Sequence, residues 1–127
     1  MNHLKVVCAE DCGNSPKKQL LRDLTIALAK QDIESWLEWM RDDVVWEIIG
    51  EDRLEGKVAM ADRLQSWHDR SISELEIHHI ITHGNTASLN ATFFFADGKR
   101  LDYCDVYNFG GFGKTAKIKK IMSYVIQ

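Results

Sequence analysis

The sequence predicts an α+β domain in which helices pack on one face of a β-sheet. In the first half of the chain, apolar residues recur at helical spacing around one short β-branched run. The second half consists of four long runs of strand-like composition, separated by short glycine-containing turns. The 127 residues, 45% hydrophobic and 28% charged, suit one globular core and are too few for two.

Three helices are predicted before the strand-rich half. Ser15 is an N-cap followed by a proline, and an apolar stripe extends over residues 16–30. Asp32 can cap a second, short helix, and Gly56 opens a third. The apolar stripe of the second helix is formed by Ile33, Trp36, Leu37 and Met40. The apolar stripe of the third helix is formed by Val58, Ala61, Leu64 and Trp67.

Five strands are predicted, one short and four long. Residues 44–49 form the short strand, an apolar, β-branched run that begins after two aspartates and ends at Gly50. The long strands should pair as an antiparallel meander, because hairpin sequences separate them. They cover residues 75–83, 86–95, 99–109 and 117–126.

Residues 1–14 are predicted to be an N-terminal arm, and residues 15–127 to form the single domain. In the arm, Cys8 and Cys12 are separated by three residues, a wider spacing than the close pairs of strong zinc signatures. An oxidisable pair or a small metal site is the alternative to two unrelated thiols. No apolar secretion signal begins the sequence, so we expect a cytoplasmic protein with reduced thiols and no cofactor.

Charge and hydropathy exclude two classes of partner. The net charge is −3, and no basic stripe is present, so we expect no nucleic acid partner. No apolar run approaches the roughly 20 residues that a membrane helix needs, so we expect no membrane partner.

The histidines do not predict a metal site. His78 and His79 are neighbours on a predicted strand and should therefore point to opposite faces. His79 and His83 share a face but lie about 13 Å apart along the strand, too far for one ion. His68 stands alone at the end of the third helix. His79 is either a structural histidine of the sheet or an acid or base of a pocket.

Four short sequence stretches, taken together with the order of the elements, resemble those of a known family. They are AKQDI (residues 29–33) between two helices, DDVVW (42–46) at the first strand, LEGK (54–57) before the third helix, and DVY (105–107) in the sheet. In this order, over residues 15–127, the chain resembles the nuclear transport factor 2-like superfamily, in particular its SnoaL-like and ketosteroid-isomerase-like branch. The resemblance implies a cone in which a curved, mainly antiparallel sheet wraps three helices around a pocket.

The chemistry implied by this resemblance is not tied to one reaction, since the superfamily includes isomerases, hydrolases, dehydratases, cyclases and binding proteins. The tyrosine that donates to the oxyanion in the steroid isomerases corresponds here to Leu24, and their carboxylate base to Ile48. Their protonated aspartate corresponds to Asp105, which is present. The Arg-x-Asp unit of the limonene-epoxide-hydrolase branch would fall near residues 90–92, which are Asn-Ala-Thr. Standard isomerase or epoxide hydrolase activity is therefore not expected.

Strand alternation predicts which side chains face the helices together with Asp105. Tyr103 and Tyr107 share its face, and these three residues are the candidate catalytic group, with the tyrosines and the acid as proton donors. The result is an apolar, aromatic-lined pocket for a small apolar or aromatic molecule. A structural Asp105 that bonds to backbone amides or to a tyrosine is the alternative. The candidate ligand-binding residues are Trp46, Ile48, Asn90, Thr92, Phe94, Ser123 and Val125.

The opposite face of the sheet is predicted to be apolar as well, and helices can cover only one face. We therefore expect a homodimer through the outer sheet face, which the resemblance also implies. Glu47 should point away from the pocket, to solvent or to this interface. The apolar residues expected on the outer face are Leu89, Ala91, Phe93, Phe95, Cys104, Val106, Met122, Tyr124 and Ile126.

The function expected from these observations is that of a small-molecule-binding protein without standard steroid-isomerase chemistry. The alternative is an isomerase, dehydratase or hydrolase for a small apolar or polyketide-like substrate, with Asp105 and a tyrosine as proton donors. Few predicted neighbours of Asp105 can solvate a carboxylate, and no lysine or arginine is placed to pair with it. We therefore expect a raised pKa for this residue.

Overall fold

Three helices and a seven-stranded sheet make up the part of the chain that the computed structural model describes, namely residues 4–8, 15–67, 70–111, 113 and 115–127. The helices are α1 (Pro16–Ala29), α2 (Ile33–Leu37) and α3 (Lys57–Gln65). The strands are β1 (Lys5–Cys8), β2 (Met40–Ile48), β3 (Asp52–Glu55), β4 (Ile72–His83), β5 (Thr86–Phe95), β6 (Arg100–Phe109) and β7 (Ile118–Ile126).

The sheet has the order β1-β4-β5-β6-β7-β2-β3. Strands β4 to β7 form the predicted antiparallel meander, and β2 and β3 form a further antiparallel pair. Two pairings are parallel, β1 with β4 and β2 with β7. The predicted fold class is confirmed: three helices lie on a curved, open and mainly antiparallel sheet.

The helix starts follow the local signals in the sequence. The Ser15 side chain accepts a hydrogen bond from the backbone N–H of Lys18 at 3.3 Å, and Pro16 occupies the first helical position. Asp32 caps α2 by accepting from the Ser35 N–H at 3.3 Å. Between these helices, Gln31 adopts a left-handed conformation with φ of 61°, which turns the chain sharply from α1 into α2.

Strand β2 begins earlier than predicted. Met40, which was expected on the second helix, is the first residue of β2 and pairs with Ile118. Asp42 and Asp43 lie within the strand rather than before it, and both are exposed. A bulge between Met40 and Val45 keeps these charged residues at the surface, so their polarity does not end the strand.

Two short edge strands were not predicted as strands. The charged sequence DRLE forms β3, which the left-handed Gly50 connects to β2. Part of the segment expected to be an arm forms β1, which pairs with β4 at the other edge of the sheet. Charged residues are common on edge strands because one side of such a strand faces solvent, and this composition hides the strand signal of β3. The β1 sequence, KVVC, is apolar but only four residues long.

The register between β5 and β6 corrects the predicted faces of β5. The hairpin places Leu89 opposite Asp105 and Ala91 opposite Tyr103, so these side chains share the helix-facing, inner side. The prediction that Asn90, Thr92 and Phe94 lie on the inner face, and Leu89, Ala91, Phe93 and Phe95 on the outer face, is therefore wrong. Burial agrees with the register, since the latter four residues are at most 4% exposed and belong to the core.

Strand β4 contains a bulge between Ile77 and His79 that changes the direction of the histidines. The Nε2 of His78 lies 2.9 Å from the Thr92 hydroxyl, and the Nδ1 of His79 lies 3.0 Å from the Asn90 side-chain oxygen. Both partners are on the outer face, so the prediction that the two histidines point to opposite faces is wrong. Both histidines are bonded within the outer face of the sheet and away from the core.

Candidate functional site

A cavity of about 140 Å³ lies between the inner face of the sheet and helices α1 and α3. We call it the central cavity. Its apolar wall combines residues that are distant in the sequence but converge through the parallel pairing of β2 with β7. This wall consists of Leu28, Trp46, Ile48, Leu64, Phe93 and Leu101, with Val125 at the C-terminal end of β7.

Neighbouring residues from the three strands β6, β7 and β2 form the polar end of the cavity. Asp105 on β6 pairs with Ser123 on β7, and Ser123 pairs with Ile48 on β2, so their side chains form one row across the sheet. All three residues are buried and line the cavity. The row places one carboxyl and one hydroxyl next to the apolar wall of the cavity.

A chain of hydrogen bonds ends at the Asp105 carboxyl group. The Trp46 indole N–H donates to the Ser123 hydroxyl at 2.8 Å, and that hydroxyl donates to Asp105 Oδ1 at 2.5 Å. The Tyr107 hydroxyl donates to Asp105 Oδ2 at 3.2 Å. Asp105 therefore bonds to two side chains and faces the inner side of the sheet, and within the described residues its carboxyl group accepts no hydrogen bond from a backbone amide.

Burial raises the pKa of Asp105 to about 6, while the hydrogen bonds from Ser123 and Tyr107 act in the opposite direction. No lysine or arginine in the described segments forms an ion pair with it. The direction expected from the sequence is confirmed. Near pH 6 the group can therefore either hold or release a proton.

The Tyr103 hydroxyl is buried without a hydrogen-bond partner among the described residues. The Thr25 hydroxyl is a neighbour of this group outside hydrogen-bonding geometry, and it donates its own hydrogen bond to the Leu21 carbonyl at 2.8 Å. Burial raises the pKa of Tyr103 and of Tyr107 well above the usual value, so both keep their protons. Tyr103 is 7% exposed and lines the central cavity, and its hydroxyl is a hydrogen-bond donor without a bonded acceptor among the described residues.

The structure brings together six of the ten residues singled out from the sequence. Asp105, Tyr103, Trp46, Ile48, Ser123 and Val125 line the central cavity. Tyr107 lies behind Asp105 and contacts it without lining the cavity. Asn90, Thr92 and Phe94 are on the outer face, because the β5–β6 register places the neighbouring residues of β5 on the side of Asp105.

The outer face holds a polar cluster of its own. The Thr92 hydroxyl donates to Asp102 at 2.6 Å and so accepts from His78, while the Arg100 guanidinium donates to both Asp102 oxygens at 2.7 and 3.1 Å. Glu47 also faces outward, within 3.7 Å of Arg53 and 3.8 Å of Lys120, as predicted. These contacts connect neighbouring strands on the side opposite the cavity.

Sequence reasoning missed the charged entrance of the cavity. Glu51, Arg63 and Arg70 contribute to its lining, and Trp67 lies beside them. They come from the β2–β3 turn, from α3 and from the segment after α3. These three segments share no periodic sequence pattern that would predict their proximity. The one sequence feature that could have indicated the site is Trp67 followed three positions later by Arg70, because an aromatic ring and a cation at this spacing can stack.

The remaining sequence expectations concern metals, cysteines and membranes. In the described ranges, no three residues among His, Cys, Asp and Glu are placed to hold one metal ion. Cys8 is disulfide-bonded, so the expectation of reduced thiols is wrong for this residue, whereas Cys104 is a free thiol. Cys12 and His68 lie outside the described residues. None of the described helices has the length and hydropathy needed to cross a membrane.

Comparison with known proteins identifies relatives of this fold. The family model of the SnoaL-like domain matches residues 21–118. No curated protein matches the sequence significantly.

Many solved structures share the architecture, and three represent them. An NTF2-like protein of unknown function from Cytophaga hutchinsonii is 23% identical, with a TM-score of 0.64 over 85% of this chain and 97% of that one. A protein from Shewanella denitrificans assigned as a SnoaL-like polyketide cyclase is 15% identical, with a TM-score of 0.70 over 87% and 90% of the two chains. SalBIII, an epoxide hydrolase/cyclase-like enzyme with a role in pyran ring formation in salinomycin, is 15% identical, with a TM-score of 0.71 over 87% and 91%. At these identities the similarity establishes a common fold.

Proposed function

The chain belongs to the SnoaL-like domain family of the nuclear transport factor 2-like superfamily, and on that premise we propose that it binds a small, largely apolar molecule in the central cavity. The single observation that carries this proposal is that Tyr103 lines the cavity while its hydroxyl is buried without a hydrogen-bond partner among the described residues. Leaving such a donor unpaired costs about 1–3 kcal/mol, and an oxygen atom of a ligand would remove that cost.

The ligand best suited to this arrangement has an apolar body and one carbonyl oxygen. Tyr103 can donate to that oxygen, and Asp105 can donate a second hydrogen bond when it is protonated. The volume of about 140 Å³ is close to that of apolar cavities that bind benzene. The body of the ligand is therefore about the size of one aromatic ring.

The Tyr103→Phe variant should lower the affinity for acetophenone by about twofold to tenfold, the usual net effect of one hydrogen bond. Affinity for ethylbenzene, which has a similar shape and lacks the carbonyl oxygen, should stay unchanged. Calorimetric or fluorescence titration of both compounds measures the effect.

Tyr124→Phe is the matched control, because Tyr124 is 46% exposed on the outer face and far from the cavity wall. The Tyr103→Phe variant should also unfold at the same or a higher urea concentration than the parent, since it loses an unpaired buried group. A less stable variant with unchanged acetophenone affinity would show that Tyr103 is structural and would contradict the proposal.

An enzymatic role is the second candidate, favoured by the pKa of Asp105. A buried acid with a pKa of about 6, beside a protonated tyrosine, is suited to protonate or polarise an oxygen atom of a substrate. Such an enzyme would be an isomerase, dehydratase or hydrolase for a small apolar or polyketide-like substrate. Turnover that disappears in Asp105→Asn while ligand affinity persists would distinguish catalysis from binding.

We also propose that the protein forms a homodimer through the outer sheet face. Because the apolar residues of β5 face the core, the outer face of the sheet is less apolar than the sequence predicted. Strands β6 and β7 nevertheless expose an apolar patch on this face. Tyr124 and Ile126 are large hydrophobic residues that are 46% and 71% exposed, and among the described elements no helix or strand covers them. The outer patch consists of Val106, Met122, Tyr124 and Ile126, with Ile81 and Phe94 beside it.

Light scattering of the purified protein at micromolar concentration should give twice the chain mass of 14.6 kDa. Met122→Asp should give a monomer, because it places a charge within the outer patch. Val58→Asp changes an exposed residue of α3, away from the sheet, and should leave the dimer intact. A monomeric parent protein would refute the dimer.

A further inference from the structure

The entrance of the central cavity carries two arginines with different surroundings. The Arg63 guanidinium lies 2.6 Å from Glu51 and 3.7 Å from Asp52, so its charge is compensated by two carboxylates. Arg70 has no carboxylate within 4 Å among the described residues. Within the described part of the chain, Arg70 is therefore the cation of the cavity lining that has no carboxylate at ion-pair distance.

Aromatic rings support the Arg70 guanidinium. Its central carbon lies 3.7 Å from the centre of the Phe95 ring and 5.5 Å from the Trp67 ring. Stacking on an aromatic face stabilises the cation and leaves the N–H groups at the edge of the guanidinium plane available to an acceptor. A carboxylate is the acceptor that this planar fork binds best.

The backbone that carries Arg70 is fixed by Gln31. The Gln31 side-chain amide donates to the carbonyl oxygens of Trp67 and Arg70 at 3.1 and 2.7 Å, and the Arg70 N–H donates to the Trp67 carbonyl at 2.8 Å. A cation held in place before the ligand arrives loses less conformational freedom on binding.

We propose that the ligand of the central cavity carries a carboxylate, held by Arg70 at the entrance, on the apolar body whose carbonyl oxygen reaches Tyr103. The ligand class is then a small oxo-carboxylic acid with a ring-sized hydrocarbon body. This inference rests on the proposed function, since it requires that the cavity binds a ligand at all. It adds a second recognition point at the opposite end of the same cavity.

Binding of 4-acetylbenzoate and of its neutral methyl ester tests the inference. At about pH 6 and low salt, the parent protein should bind the carboxylate roughly tenfold to a hundredfold more tightly than the ester. Arg70→Gln should remove this preference and leave the affinity for the ester unchanged. Arg53→Gln is the matched control, because Arg53 is an exposed arginine of β3 that pairs with Glu47 and Glu55 away from the cavity.

The dependence of ligand affinity on ionic strength tests the inference with the parent protein alone. Raising the ionic strength from about 0.02 M to about 0.5 M should weaken binding of the carboxylate and leave binding of the ester unchanged. Equal affinities for acid and ester, with Arg70→Gln altering neither, would overturn the anion preference while the proposed function stands. Absence of binding of either compound to the parent protein would overturn both.

Discussion

The purified protein should not isomerise a β,γ-unsaturated ketosteroid. An isomerase that loses its oxyanion donor slows by about 10²–10³, and one that loses its general base slows by a further 10²–10⁴. The resemblance assigns these two positions to Leu24 and Ile48, neither of which can donate or accept a proton. Absorbance of the conjugated product measures the rate, which should be at least about 10⁴ below that of an enzyme with both groups.

The structure places no carboxylate at the position that corresponds to the base, and the carboxylate next to it faces away from the cavity. Ile48 is 5% exposed and lies in the same row as Ser123 and Asp105, so the place of the base faces the cavity but carries only hydrocarbon. Glu47, the neighbouring carboxylate, faces the outer side and pairs with Arg53 and Lys120. Turnover well above the rate in protein-free buffer would contradict this prediction.

The Asp105→Asn variant should change how stability depends on pH. The pKa of Asp105 is raised from 3.8 to about 6 in the folded protein, so below about pH 4 the group is protonated in both states and contributes no difference. Between about pH 4 and pH 6 the unfolded state has released this proton while the folded state still holds it, so the parent loses about 3 kcal/mol of unfolding free energy as the pH rises across this range. The asparagine variant lacks this loss, so its stability relative to the parent should rise by about that amount between pH 4 and pH 7.5. Urea unfolding at several pH values, followed by tryptophan fluorescence, measures it.

Asp102→Asn is the matched control on the same strand, with the opposite sign. Hydrogen bonds from Arg100 and Thr92 lower the pKa of Asp102, so its contribution to stability is present above the unfolded pKa and is lost as the pH falls. The relative stability of this variant should therefore improve toward acidic pH. Parallel pH profiles for the parent and Asp105→Asn would mean that Asp105 titrates normally, and would remove the basis for its role as an acid.

The parts of the fold that depend on local signals were predictable. Ser15 and Asp32 cap their helices because their side chains reach backbone amides only three residues away. The four meander strands are separated by glycine-containing turns, and their approximate extents follow from those turns. These interactions are encoded within a few residues, and for this reason a single sequence is enough to predict them.

The faces of β5 could not be predicted in the same way. Its last three residues are all phenylalanine, so the alternation of polar and apolar residues does not say which of them faces the core. The register of the hairpin decides this, and it places Phe93 and Phe95 inside and Phe94 outside. Arg70 was missed for a similar reason, because its position at the entrance depends on long-range contacts with Gln31 and Phe95.

The position of β2 in the sheet has a consequence for how the protein is made. Trp46 and Ser123 are hydrogen-bonded but lie 77 positions apart, and β2 joins the meander only by pairing with β7. A nascent chain that has not yet reached β7 therefore has no central cavity, and it exposes the edges of β2 and β6 to other chains. Closing so long a loop makes folding slow compared with proteins dominated by local contacts. Assembly of the cavity should thus come after synthesis of the last strand, and an incomplete chain is the species most exposed to aggregation.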